Sequence, residues 1–128
     1  LFAKDCGGFL HWGFNFYNTV HSVKSVNPFV DTCAGGGFPG GDSFMVYPGP
    51  EGRPWESIRF KVFAQAMDDH RAFQLLASLL GREAVLEIVN TNGSDGPLEM
   101  DSFSVDPLHY LRVREAVNQQ IKAALEDK

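Results

Sequence analysis

Between residues 57 and 80 apolar side chains recur three and four apart, at Ile58, Val62, Phe63, Ala66, Met67, Phe73, Leu76 and Leu80. That spacing lines one face of a helix, so a helix is expected over about 57–80. Ser57 is one candidate for its cap, Pro54 for its first turn, and Gly81 is a natural stop. A short helix is expected over about 82–89. The stretch NTNGSDG at 90–96 is turn chemistry and is read as mobile. A last helix starts at Asp106-Pro107, an acceptor followed by a first-turn proline, and runs to about Glu126. Its expected inner stripe is Leu108, Leu111, Val117, Ile121 and Leu125.

The first third of the chain reads differently. Residues 8–16, GFLHWGFNF, are aromatic, uncharged and too short for a stable helix. They are expected to form a strand buried on both faces. One face carries Phe9, His11, Gly13 and Asn15; the other, uniformly large, carries Leu10, Trp12, Phe14 and Phe16. Residues 17–41 form a long loop rich in Gly, Pro and Asn, of the kind that binds ligands when it is ordered. A second strand follows at 43–47, SFMVY, stopped by the turn Pro48-Gly49-Pro50-Glu51-Gly52. Two strands do not make a sheet that stands alone. The expectation is therefore the closing segment of a larger α/β unit, its strands paired with the rest of a parent chain or with a second copy.

Composition sharpens that division. Residues 1–50 hold nine of the 13 Gly and seven of the 11 Phe but only five of the 27 charged residues. The net charge of -5 and the lack of a basic patch argue against nucleic acid as a partner. No apolar run approaches the ~20 residues that span a bilayer, so no membrane is expected. The N-terminal residues lack a signal-peptide pattern and an initiator Met, which is expected of a chain processed or lying inside a longer protein. Cys6 and Cys33 read as two free core thiols, with a single bridge as the alternative, and form no zinc pattern.

Three strings carry a resemblance: GFLHWGFNFY at 8–17, GDSFMVYPGPEG at 41–52 and PWESIRFKVFAQAMDDHRAFQLL at 54–76. Together they are similar to the C-terminal signature of the domain of unknown function 4091 family, at the end of a glycoside hydrolase family 123 type catalytic domain. The family pattern runs GxLxWGxNxW, GDxxLVYPG and SIRxExxRxGxEDYExL. This chain departs from it with Tyr17 for the Trp and His70 for the aromatic after ED. The resemblance implies a TIM-like (β/α)8 barrel, with residues 9–16 as its seventh strand, 43–47 as its eighth and 57–80 as its closing helix. Residues 1–80 would then belong to the barrel, and 81–128 would form a helical extension packed on it.

The same resemblance implies hydrolysis of glycosidic bonds, with N-acetylhexosaminides as substrates. The sugar's 2-acetamido oxygen would attack the anomeric carbon, assisted by an adjacent Asp-Glu pair upstream of the matched region. Asp68-Asp69 is not that pair: sequence neighbours on a helix diverge by ~100° around its axis. A bacterial protein acting outside the cytoplasm, or after uptake, is the implied setting, and no cofactor is expected.

Chemistry in a barrel gathers at the C-terminal strand ends. That picks Trp12, Asn15, Tyr17, Asp42 and Tyr47 as candidates for a carbohydrate cleft. Sugar CH faces stack on Trp and Tyr, and sugar hydroxyls pair with Asn, Asp and the Tyr hydroxyl. Each has a plainer role open to it: Trp12 as a core aromatic, Asn15 as a loop cap, Asp42 as a turn anchor ahead of its strand. His11 reads as a satisfied core histidine; His21, His70 and His109 are scattered, and no metal site is expected. Arg59 and Asp69 read as anchors for a strand end or loop. The glycines at 35–37 and 40–41 do not open a helix, so they are not a phosphate cradle. A non-catalytic carbohydrate-binding or assembly module, and a degraded barrel serving as a scaffold, are the alternatives.

Overall fold

The computed structural model describes residues 1–91 and 103–126. Its elements are β1 (Val46–Pro48), a 3-10 turn (Pro50–Gly52), β2 (Pro54–Glu56), α1 (Ile58–Leu80), α2 (Arg82–Thr91) and α3 (Pro107–Glu126). The chain is thus a small α/β arrangement of two antiparallel strands and three helices. It divides into two compact units, Phe9–Gln65 and a second made of Leu1–Gly8 with Ala66–Lys128.

In the Phe9–Gln65 unit, β1 and β2 form a hairpin in the register Val46↔Glu56, Tyr47↔Trp55 and Pro48↔Pro54. β1 begins three residues later than the strand expected at 43–47 and takes in Pro48, the first residue of its expected stop; β2 is a strand that the proline-flanked sequence hides. Residues 8–16 are not the strand expected of them. They meet the second segment at one antiparallel bridge, Asn15↔Phe44, supported by Phe16 N–H to Ser43 O at 3.0 Å and Met45 N–H to Phe14 O at 2.8 Å. Nor are they buried: Leu10 is 90% exposed, and Phe9, Trp12 and Phe14 are exposed as well. A strand is defined by its neighbours, and among the described residues only one short segment flanks this one.

The loop after it is ordered by its own polar groups. The Asp31 carboxylate accepts from the N–H groups of Cys33 and Gly35, both at 2.9 Å, while Val20 N–H donates to Ala34 O at 3.0 Å. Both cysteines are free, as expected, but Cys6 is exposed and Cys33 half-buried, so neither is a core thiol.

α1 matches its predicted bounds. Ser57 is the cap: its Oγ accepts from Phe60 N–H at 3.2 Å and donates to Met45 O at 2.6 Å. Gly81, at φ 92°, ends the helix with its N–H on Ala77 O at 2.9 Å. The predicted stripe is only half right. Leu76 is fully buried, whereas Ile58 is 75% exposed and Val62 is exposed too. α2 extends through Asn90 and Thr91, taking the first two residues of the expected turn; residues 92–96 lie outside the described residues.

The second unit has a conventional core of Leu76, Val85, Val89, Val113 and Val117, with Phe73, Ile88 and Ile121 packed on it. α3 is capped at Asp106, whose Oδ1 accepts from Leu108 N–H at 2.9 Å. Of its expected stripe Val117 is buried and Ile121 packs on the core, but Leu108, Leu111 and Leu125 are exposed, and His109 and Val113 are buried in their stead. The four-residue spacing of the compact valines suits close approach to Val85 and Val89 of α2. His109, 2% exposed, is a core histidine.

Candidate functional site

The motif residues of the Phe9–Gln65 unit converge on one crossing. A Cβ on Gly13 would lie inside contact distance of the Asp42 carbonyl, so only glycine lets the two segments pass this closely. Around that point Trp12 Nε1–H donates to Asp42 Oδ2 at 3.2 Å, and His11 Nε2 lies 2.9 Å from Asp42 O. Trp12 also packs on Phe38, 4.8 Å between ring centroids, and on Phe16 at 5.5 Å.

Arg59 closes the crossing from α1. Its Nη2 donates to Phe44 O at 3.0 Å and its guanidinium lies 5.2 Å from the Phe44 ring centroid. A Cβ on Gly41 would come within 2.6 Å of that guanidinium. Gly13, Gly41, Asp42, Ser57 and Arg59, which dominate the three signature strings, are therefore braces. Arg59 does anchor a strand end. Asp69 anchors a helix instead of a strand or loop: in the second unit its two oxygens accept from Arg114 Nε and Nη2, each at 2.7 Å. That bidentate pairing holds the Arg114 guanidinium above its ordinary pKa, against the opposing pull of burial.

Behind the crossing, Phe44 is 1% exposed and supports two tyrosines, with Tyr17 at 5.8 Å and Tyr47 at 5.0 Å between ring centroids. The Tyr17 hydroxyl donates to Val46 O at 2.7 Å, leaving its oxygen as an acceptor. Burial pushes the Tyr17 phenol above its ordinary pKa, so it stays neutral. Tyr47 stacks on Phe29 at 5.0 Å with 26° between planes. The two tyrosines line a cavity of about 320 Å³ together with Phe14, Asn15 and Arg53. That volume is at the lower end of small-molecule sites.

Of the five predicted site residues, the structure gathers Asn15, Tyr17 and Tyr47 at one cavity. It pairs Trp12 with Asp42 at the crossing instead, and neither lines the cavity. Arg53 lies outside the sequence expectation; its one signal is a basic residue directly after the turn PGPEG.

A broader depression, about 660 Å³, lies along α3 beside Leu108, Leu111, Arg112 and Arg114. It is an open surface of one helix, and both arginines are already engaged, with Asp106 and Asp69. The tyrosine-lined cavity is the better candidate. Among the described residues no group of three or more His, Cys, Asp or Glu stands close enough to hold a metal ion, and no helix is long and apolar enough to cross a membrane.

No curated protein matches the chain. A family model does, over residues 1–76: the glycoside hydrolase 123 catalytic domain. The match covers the whole crossing, the cavity and most of α1, and on it this chain belongs to the glycoside hydrolase 123 catalytic-domain family.

Proposed function

We propose that this chain is the C-terminal segment of a glycoside hydrolase-like (β/α)8 barrel and that its tyrosine-lined cavity holds part of the sugar substrate. The observation carrying this reading is the cavity: two supported aromatic rings, the Asn15 amide and an arginine meet in about 320 Å³. Stacked rings suit the CH faces of a pyranose, and edge donors suit its hydroxyls. A barrel setting is further supported by the exposed Phe9, Leu10, Phe14, Ile58 and Val62, all within one unit. Further strands and helices would cover such a surface. N-acetylhexosaminides are the substrate class implied by the family resemblance, with the Asp-Glu pair supplied from outside the positions matched here.

The test is hydrolysis of chromogenic N-acetylhexosaminides by the full parent protein and by the 128-residue chain. Turnover by the parent and none by the chain is expected; turnover by the chain alone would overturn the division of labour. One observation favours a second reading, a carbohydrate-binding module: no carboxylate lines the cavity. A parent protein that binds these sugars and hydrolyses none would select it.

A further inference from the structure

We propose that the cavity selects sugars carrying an anionic substituent, a carboxylate or a sulfate, and that Arg53 is the selecting residue. The inference rests on the sugar-binding reading above and adds the charge class of the ligand.

Arg53 is the one charged side chain among the residues lining the cavity. The other five arginines are engaged: Arg59 with Phe44 O, Arg71 with Asp68, Arg82 with Ala3 O, Arg112 with Asp106 and Arg114 with Asp69. Among the described residues the Arg53 side chain forms no ion pair, although the protein carries 16 acidic residues to 11 basic ones. Among the described residues Glu51, two positions away, forms no ion pair, and Glu56 is taken by Lys61.

The placement of Arg53 is built by the turn. Glu51 at φ 56° and Gly52 at φ 74° are left-handed, and Arg53 N–H returns to Pro50 O at 3.1 Å. A Cβ on Gly49 would strike the Arg53 carbonyl and the Trp55 ring, so this chain reversal depends on glycine at 49. With Pro54 paired to Pro48, Arg53 stands just past the end of β1 and lines the same cavity as Tyr47. Asn15 is a neutral donor, and the cavity lining carries one positive charge and no negative one in a protein of net charge -5. A guanidinium fork matches a carboxylate in a bidentate fashion and also accepts sulfate.

The experiment titrates the 128-residue chain with glucose, glucuronate and glucose 6-sulfate, following backbone amide shifts by NMR, for the native protein and for Arg53→Gln and Tyr47→Ala. At low salt at least one anionic sugar is expected to bind roughly tenfold more tightly than glucose. Raising salt to about 0.5 M compresses that preference. R53Q is expected to bring the ratio of anion to glucose affinity from roughly ten down to about one, and Y47A to weaken all that bind. Glucuronate ahead of the sulfate assigns a carboxylate ligand, and the reverse order a sulfate. Equal binding of all three sugars by native protein and R53Q would overturn the charge selection and leave the sugar site standing. Binding of none of the three would overturn the charge selection, while the N-acetylhexosaminide assay decides the sugar site separately.

Discussion

The two units are held together by different physics. The one containing α2 and α3 buries a continuous set of apolar side chains, Leu76, Val85, Val89, Val113 and Val117. The Phe9–Gln65 unit buries few large side chains, chiefly Phe44 and Val46, and relies on glycine contacts and side chain to backbone hydrogen bonds at defined points. A packed core tolerates exchange of one apolar residue for another of similar volume. A set of point contacts does not, which explains in physical terms why the family signature is written in Gly, Asp, Ser and Arg at fixed spacing.

The comparison breaks first at Leu76. Leu76→Ala removes a fully buried side chain from the packed core and is expected to cost about 4 kcal/mol, read by urea unfolding. The volume-conserving Leu76→Met should cost far less. If the two variants were equally damaging, the core would not be the ordinary packed one described.

Gly13→Ala is expected to cost about 3 kcal/mol, because the added methyl meets the Asp42 backbone, which cannot rotate away. Hydrogen exchange separates this effect from the first. Protection at Met45 and Phe16 should fall, while that of Val113 and Val117 holds. A neutral G13A would remove the close crossing from the account.

Asp69→Asn leaves the half-buried Arg114 with a weaker partner and is expected to cost about 1–2 kcal/mol, with the Arg114 side-chain signals moving by NMR. The smallest effect is at the surface. The Asp106 carboxyl is held below its ordinary value, first by the Leu108 N–H and then by Arg112. A depressed acid contributes stability above its unfolded pKa and loses it as pH falls through the folded value. The first turn of α3 should therefore be unchanged from pH 7 to about 5 and fray below about pH 4, visible in the Leu108 amide. Fraying that begins near neutrality would assign the cap to another group.

Helix ends were legible because their signals are local. Ser57, Gly81 and Asp106-Pro107 act within one turn of themselves, and all three stand where the sequence places them. Helix faces were less so. In α3 the leucines are more hydrophobic than the valines, yet His109, Val113 and Val117 turn inward because the partner surface on α2 decides the face. In α1 the apolar pattern is real, but near Ile58 and Val62 nothing among the described residues covers it. The same reason undid the strand at 8–16: its composition announces burial, and burial needs neighbours.

The candidate site was half legible. Tyr17, Asn15 and Tyr47 were chosen by position at segment ends, and they do meet at one cavity. Trp12 and Asp42 carry equally suggestive chemistry but use it on each other. That pairing bridges 30 residues, a distance at which no periodicity speaks. Arg53 is brought to the cavity by a hairpin whose second strand the prolines concealed.

The most direct test of the central claim is an amide-shift map of the 128-residue chain titrated with N-acetylhexosamines and with the anionic sugars. The account predicts saturable shifts clustered on Asn15, Tyr17, Tyr47 and Arg53, with α3 silent. Shifts centred on Leu108, Leu111 and Arg112, with the tyrosines unmoved, would contradict it.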